Sequence, residues 1–263
     1  MFEWIYNYNV ILIGVVFAIA PVCVMLLGIR IFNGLFRGWI HKTRSANDVI
    51  GYILSCFSAL YGILVGLLAV GAYENLNSVG DIVSKEASNI AALYMDYGGY
   101  PEPIKSVLRN QLTEYANEVI EKSWPLQKQN TVPMNETIQL RKIFRTLVSF
   151  RPSNRSEDIL HTETLRQYNA LIESRRMRLE NIGTSIPTII WAVVLIGGLF
   201  HILLICMLDT EAHVHRVLGI CFSSFIGLLI FMIAEIDNPY LGTVSVGPDA
   251  FVQILENIKF RPE

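Results

Sequence analysis

The chain has 263 residues, 52% hydrophobic and 17% charged, where a soluble domain carries about 25% charged residues; the balance is that of a membrane protein. Its 21 basic and 23 acidic residues leave a net charge of −2, so no global field attracts nucleic acid, and that partner class is excluded. The cysteines Cys23, Cys56, Cys206 and Cys221 all fall inside apolar runs without a CxxC or Cys/His cluster; they are read as small core residues, and neither a zinc site nor a disulfide framework is expected.

At the N-terminus, Ala18 and Ala20 resemble a signal-peptide cleavage site. No Lys or Arg precedes the apolar run, however, Pro21 would follow the cut, and the run continues to Ile29, so a retained span is expected. About 20 apolar residues cross a hydrocarbon core of about 30 Å, and Val10 to Ile29, Val49 to Ala72, Ile186 to Leu208 and Val217 to Ile236 meet or approach that length. Because backbone groups in lipid must bond within their own segment, these spans are helices. The expected fold is all-α: a polytopic membrane protein with four transmembrane helices and a helical soluble insert between the second and third. The chain divides into residues 1–72 with the first two spans, 73–184 as the insert, and 185–263 with the last two spans and a short tail.

The second span does not stop at the membrane. No proline intervenes before Pro101, and Val79, Val83, Ala87, Ile90 and Tyr94 keep a helical apolar stripe, which predicts one helix from Val49 to about Asp96. Pro101 and Pro103 then start a helix carrying Ile104, Leu108, Leu112 and Tyr115 that ends at Trp124 and Pro125. A second insert helix runs from about Asn135 to Phe150. A third follows Ser156 as N-cap, with Glu157 and Asp158 complementing the helix dipole, and heads for the third span, with Gly183 and Pro187 as places for a kink or break.

With these elements in order, two stretches carry a family resemblance: "YENLNSVGDIVSKEASNIAALY" after the second span and "IDNPYLGTVSVGPDAF" closing the fourth. Together with the order of spans and insert, they resemble the bacterial bestrophin-like domain family of four-span membrane proteins. The sharpest pieces are Glu86 with Ala87, and Asp237, Pro239, Tyr240 and Gly242. The resemblance implies a more remote similarity in layout to bestrophins, which are pentameric anion channels with long helices shared between membrane and soluble layers. It departs from them where bestrophins place an aromatic neck on the second span, for here that face carries small residues.

On that face Ser55, Ser58, Gly62, Gly66, Ala69 and Tyr73 fall at helical spacing. One reading is a pore wall leading to a charged vestibule with Glu74 and Asp81; the other is a small-xxx-small packing pair, Gly62 and Gly66, beneath a solvated charged surface. Glu235 is read as a further ion-pathway residue. Asp237, on the last helical turn where the dipole disfavours an acid, is read as an anchor bound to a basic residue, with Arg175, Arg176 or Arg178 as its partner. His201, inside the third span, is read as a buried neutral histidine. His213 and His215 could bind a metal with Asp209 or Glu211, but a polar loop is the reading adopted.

No GxSxG, phosphate loop, HExxH or Gly-rich nucleotide turn occurs, so no enzyme activity, cofactor or metal is expected. The function expected is an oligomeric ion channel of the bacterial inner membrane, pentameric first and tetrameric or dimeric behind. Anion conduction is what the resemblance implies, whereas the acids near the mouth suit cations. The alternative is a non-conducting sensor or scaffold whose insert binds a ligand or partner. Partners are the lipid bilayer, inorganic ions and further copies of the chain. The first loop holds Arg30, Arg37, Lys42 and Arg44, which the positive-inside rule assigns to the cytoplasm, leaving the insert on the periplasmic side; in bestrophins the soluble layer is cytosolic.

Overall fold

The computed structural model describes residues 3–35, 46–208 and 210–259. Among the described residues every regular element is helical, and four helices are long and apolar enough to cross a membrane. Arg37, Lys42 and Arg44 of the first loop, and Asp209, lie outside the described residues. The chain forms two compact units, one of residues up to Asn75 with Ser185–Val244, the other of Leu76–Thr184 with Ser245 onward.

The first unit holds α1 (Val10–Leu35), the first part of α2 (Ala46–Tyr97), α7 (Thr188–Met207) and α8 (Ala212–Ile236). All four expected spans are present; α8 starts more than a turn before Val217, so His213 and His215 lie on a helix rather than in a loop. His215 Nε2 lies 2.8 Å from the Ile205 carbonyl oxygen. Pro21 sits inside α1 without ending it. Its missing N–H frees the Phe17 carbonyl, and Gly227 of α8 lies against that oxygen so closely that an added Cβ would collide with it. Packing a freed carbonyl against a bare Cα is how α1 and α8 come together. The core of the unit is Ile13, Tyr61, Val65, Trp191, Val194, Ile226, Ile230 and Ile233.

The cysteines depart from the core reading. Cys206 is buried, its thiol directed at the Met25 carbonyl oxygen at 3.4 Å, but Cys23, Cys56 and Cys221 are exposed on the surface of the chain. In lipid the outside is as apolar as the inside, so an apolar run does not tell which of its faces is buried.

α2 is unbroken over 52 residues, about 78 Å at 1.5 Å per residue, so it is more than twice as long as the bilayer core is thick. Its buried positions step by three and four along one edge: Tyr61, Val65 and Ala72 in the first unit, then Leu76, Val79, Val83, Glu86, Ile90, Leu93 and Tyr97 in the second. This is the continuous helix the stripe predicts.

The rest of the second unit is α3 (Ile104–Glu118), a π turn (Val119–Ser123), α4 (Trp124–Gln127), α5 (Asn135–Ser149), α6 (Arg155–Glu180) and α9 (Asp249–Lys259). Leu108, Leu112, Ile143, Leu147 and Leu171 are fully buried at its core. α6 begins one residue before the expected cap. Asn154, with extended backbone, accepts the Glu157 N–H at 3.0 Å, and Glu157 returns a bond to the Ser153 N–H at 2.7 Å. That reciprocal capping box leaves Ser156 inside the helix. α6 and α7 are separate helices: α6 ends at Glu180, Gly183 takes φ +77°, and Pro187 caps the start of α7.

Candidate functional site: a small-residue face and two buried acid centres

The outward face of α2 has no partner among the described residues of the first unit. A Cβ added to Gly62 or Gly66 would meet nothing within 4 Å, and Leu60 and Leu67 beside them are each 69% exposed. Ser55 is exposed, Ala69 half-buried and Tyr73 exposed. The Ser55 hydroxyl donates back to the Gly51 carbonyl at 2.9 Å and that of the half-buried Ser58 to Leu54 at 2.6 Å, so the exposed Ser55 offers outward an oxygen whose proton is already used. Glu74 and Asp81 are exposed, one in each unit. Behind Ser58, the buried His201 ring places Nε2 3.5 Å from its hydroxyl, between the rings of Phe57 and Tyr61 at centroid distances of 6.2 and 6.0 Å. It is a packed core histidine.

At the end of α8 the two acids are buried and serve the turn. Glu235 Oε1 accepts the Thr243 N–H at 2.8 Å. Gly242 closes the loop at φ +83°, where an added Cβ would stand 3.0 Å from that oxygen and from the Tyr6 ring, so this position requires glycine on both grounds. Asp237 Oδ1 accepts the Ile186 N–H at 2.6 Å and Oδ2 the Trp191 indole N–H at 3.2 Å. Burial raises the Asp237 pKa while these two bonds work the other way. The acid therefore ties the end of α8 to the start of α7, but through a backbone amide and an indole. The expected arginine partner is corrected: each of the three arginines has an acid of its own.

Two of those acids, Glu86 and Glu136, form the second centre. Arg178 of α6, fully buried, donates Nε to Glu86 Oε2 at 2.7 Å and Nη2 to Glu86 Oε1 at 3.2 Å and Glu136 Oε2 at 2.9 Å. Arg175 donates Nε to the same Glu136 oxygen at 2.6 Å and Nη2 to the Thr137 hydroxyl; Arg176 pairs with Glu180 on the surface. Tyr115 donates to Glu86 Oε1 at 2.6 Å. Burial, then the charges of Glu86 and Glu136, push the Tyr115 pKa far up and keep it a donor. Burial pulls the Arg178 pKa down, but the two carboxylates more than offset this and hold it well above its usual value. The Trp124 and Phe251 rings lie 5.7 and 5.9 Å from the guanidinium carbon. Two carboxylates and two guanidinium groups thus balance in charge, bidentately on the Glu86 side.

Glu86 had a signal in the sequence beyond resemblance, since it occupies a seam position of the α2 stripe between Val83 and Ile90. An acid in an apolar seam calls for a buried cation. Glu136, Tyr115 and Trp191 had none, because which helices meet the seam is a tertiary fact.

The family model of the bestrophin-like domain matches residues 15–251. The chain belongs to the bestrophin-like family. Both acid centres and the small-residue face lie within the matched stretch of this bestrophin-like protein. Its fold is that of a bacterial bestrophin homologue from Klebsiella pneumoniae. One crystal structure, a point variant, superposes with a TM-score of 0.70 at 11% identity, covering 94% of this chain and 99% of the homologue. Another gives 0.68 at 12%, covering 95% and 99%. A variant described as a membrane protein gives 0.70 at 10%, covering 93% and 97%. Such low identities establish shared architecture. No curated protein sequence matches the chain.

Proposed function

We propose that this bestrophin-like protein is the subunit of a homo-oligomeric ion channel of the bacterial inner membrane, with α2 lining the path. The observation that carries the reading is the α2 face itself. In its most apolar window only 11% of residues are buried within the chain, and Gly62 and Gly66 face open space. A four-helix unit leaves little room for a hydrated path of its own, whereas copies arranged around an axis can bring this face together. Ser55, Ser58, Gly62, Gly66, Ala69 and Tyr73 then form the wall, and Glu74 and Asp81 the vestibule. Five subunits are proposed from the bestrophin layout, ahead of four or two. Glu235 is not placed on the path, since its carboxylate is committed to the Thr243 amide.

Anion conduction is proposed on the family resemblance, and the exposed acids make potassium the competing ion. The insert is assigned to the periplasmic side. Arg175, Arg176 and Arg178, which would otherwise argue for the cytoplasm, are neutralised by Glu136, Glu86 and Glu180, leaving the basic first loop to set orientation.

Reconstitution into liposomes with separate chloride and potassium flux assays tests the reading, alongside native mass spectrometry of the full chain. Chloride flux from an oligomer is expected, and Gly62→Leu should reduce it at unchanged oligomer state. A monomer passing neither ion would overturn the proposal and leave the sensor or scaffold as the function.

A further inference from the structure

Past Tyr97, its last helical residue, α2 is carried on by three successive turn bonds, from the N–H groups of Gly98, Gly99 and Tyr100 to the carbonyls of Met95, Asp96 and Tyr97. They bring Tyr100, 4% exposed, to the first turns of α6. There its hydroxyl lies 2.8 Å from His161 Nδ1. Phe150, just past α5, closes the group with its ring centroid 4.9 Å from that of Tyr100 and 5.5 Å from that of His161. The ends of α2 and α5 and the start of α6 thus meet at one imidazole. Asp158, one turn earlier on α6 and exposed, is the carboxylate whose field reaches the ring, and the two form no ion pair.

We propose that Tyr100, His161 and Phe150 form a proton-sensitive latch that holds the end of α2 against α6 and α5, closed while the imidazole is neutral and released when it is protonated. A neutral imidazole has a nitrogen free to accept the proton of the buried hydroxyl, whereas the protonated ring has two donors and no acceptor. Protonation therefore reverses the bond, and it places a charge beside two aromatic rings without a paired anion. The titratable neighbours do not restore the balance. Burial lowers the His161 pKa, and Asp158 offsets this only in part. Burial raises the Tyr100 pKa, aided by Asp96 on the α2 side, so the hydroxyl keeps its proton. Glu163 and Arg166 of α6 pair with each other, and the Thr164 hydroxyl gives its proton to the Leu160 carbonyl at 2.9 Å. Because the folded-state pKa of His161 lies below its ordinary 6.5, the latch is fully closed above that value and loses its hold as pH falls through the lowered one.

The test is hydrogen exchange read by mass spectrometry on the full chain in lipid nanodiscs, from about pH 8 to about pH 5, with the intrinsic exchange rates divided out. The readout is protection of Gly98, Gly99 and Tyr100, whose amides make the turn bonds, against that of Leu108 and Leu112 in the buried core. Protection at the α2 end should drop as pH falls, while that of the two leucines stays constant. His161→Gln, which keeps an acceptor and takes no proton, should show no drop. Asp158→Asn leaves all three rings in place and removes the charge that favours the protonated imidazole, so it should move the drop to lower pH. The proposal is overturned by protection that does not depend on pH in the unmodified protein, by a drop that survives in His161→Gln, or by one that Asp158→Asn leaves in place or moves upward. Because no ion gradient enters the measurement, its outcome is independent of conduction.

Discussion

Glu86 on the long helix α2 and Asp237 at the end of α8 are both buried, and the protein satisfies them in opposite ways. Glu86 lies in the middle of a helix whose amides are all used by the α2 ladder, so no backbone donor is available to it. It takes a guanidinium, and with Glu136 and Arg175 the charge closes locally. Asp237 sits where one helix has ended and another is about to start, and unused backbone N–H groups exist there. It takes the Ile186 amide and the Trp191 indole as its hydrogen-bond donors. The helix dipole argument, which disfavours an acid at this end, is answered by donors from the neighbouring helix start. Position within a helix therefore decides whether a buried carboxylate requires a countercharge.

This contrast fixes the expected order of damage. Removing one member of a buried ion pair leaves a charge uncompensated and costs about 3–5 kcal/mol, so Arg178→Ala should be the most destructive change in the chain. It strands Glu86 and removes one of two cations from Glu136. Glu86→Ala should cost less, because Arg178 keeps Glu136 at 2.9 Å. Urea or thermal unfolding of the second unit, followed by Trp124 fluorescence, checks the order. Glu86→Ala unfolding earlier than Arg178→Ala would show that Glu136 does not hold the guanidinium by itself.

The sequence made the four spans, the 52-residue helix and the insert helices readable because each rests on local periodicity or on proline placement. The seam from Tyr61 to Tyr97 is one pattern at steps of three and four, and nothing in it competes with a helix. The N-cap was misplaced by two residues because Asn154 and Ser156 are both good caps, and backbone conformation chooses between them. The partner of Asp237 was misread for a different reason. Charge counting considers side chains alone, while the donor that matters most is the amide of Ile186, which has no signature in a sequence. Arg175 and Arg178 were already claimed by Glu136, on a helix about 40 positions earlier, and Arg176 by Glu180. The small-residue face was legible as a face, since Gly62 and Gly66 share one side of a helix by spacing alone.

A smaller effect probes the Asp237 side. Trp191→Phe keeps most of the ring and deletes the donor to Oδ2, while the Ile186 amide remains. A hydrogen bond to a charged group contributes about 1.5–3 kcal/mol, and at 3.2 Å this one belongs at the lower end. The lost ring volume also costs stability, so the single variant is ambiguous. A double-mutant cycle with Asp237→Ala, which removes both acceptor oxygens, isolates the bond. A coupling of about 1–2 kcal/mol is expected; a coupling near zero would make Trp191 a packing residue and leave the amide as the sole partner that matters.

The smallest expected effect is in pH dependence, and it concerns Asp237. Burial raises the folded-state pKa of Asp237 above its ordinary value of 3.8. The native state therefore holds this proton more tightly than the unfolded chain does. Stability from this group is fully present below the ordinary value and is lost as pH rises from there through the raised folded value. Asp237→Asn removes the titration and leaves one acceptor oxygen in place. The stability of the unmodified protein relative to Asp237→Asn should thus fall as pH climbs through that window and then level off, and using the difference cancels every other carboxylate. Melting temperatures of the two proteins in the same buffers from pH 3.5 to pH 7 provide the measurement. A difference that grows with pH would mean that the hydrogen bonds from Ile186 and Trp191 outweigh burial, so that Asp237 is better satisfied as an anion than as an acid.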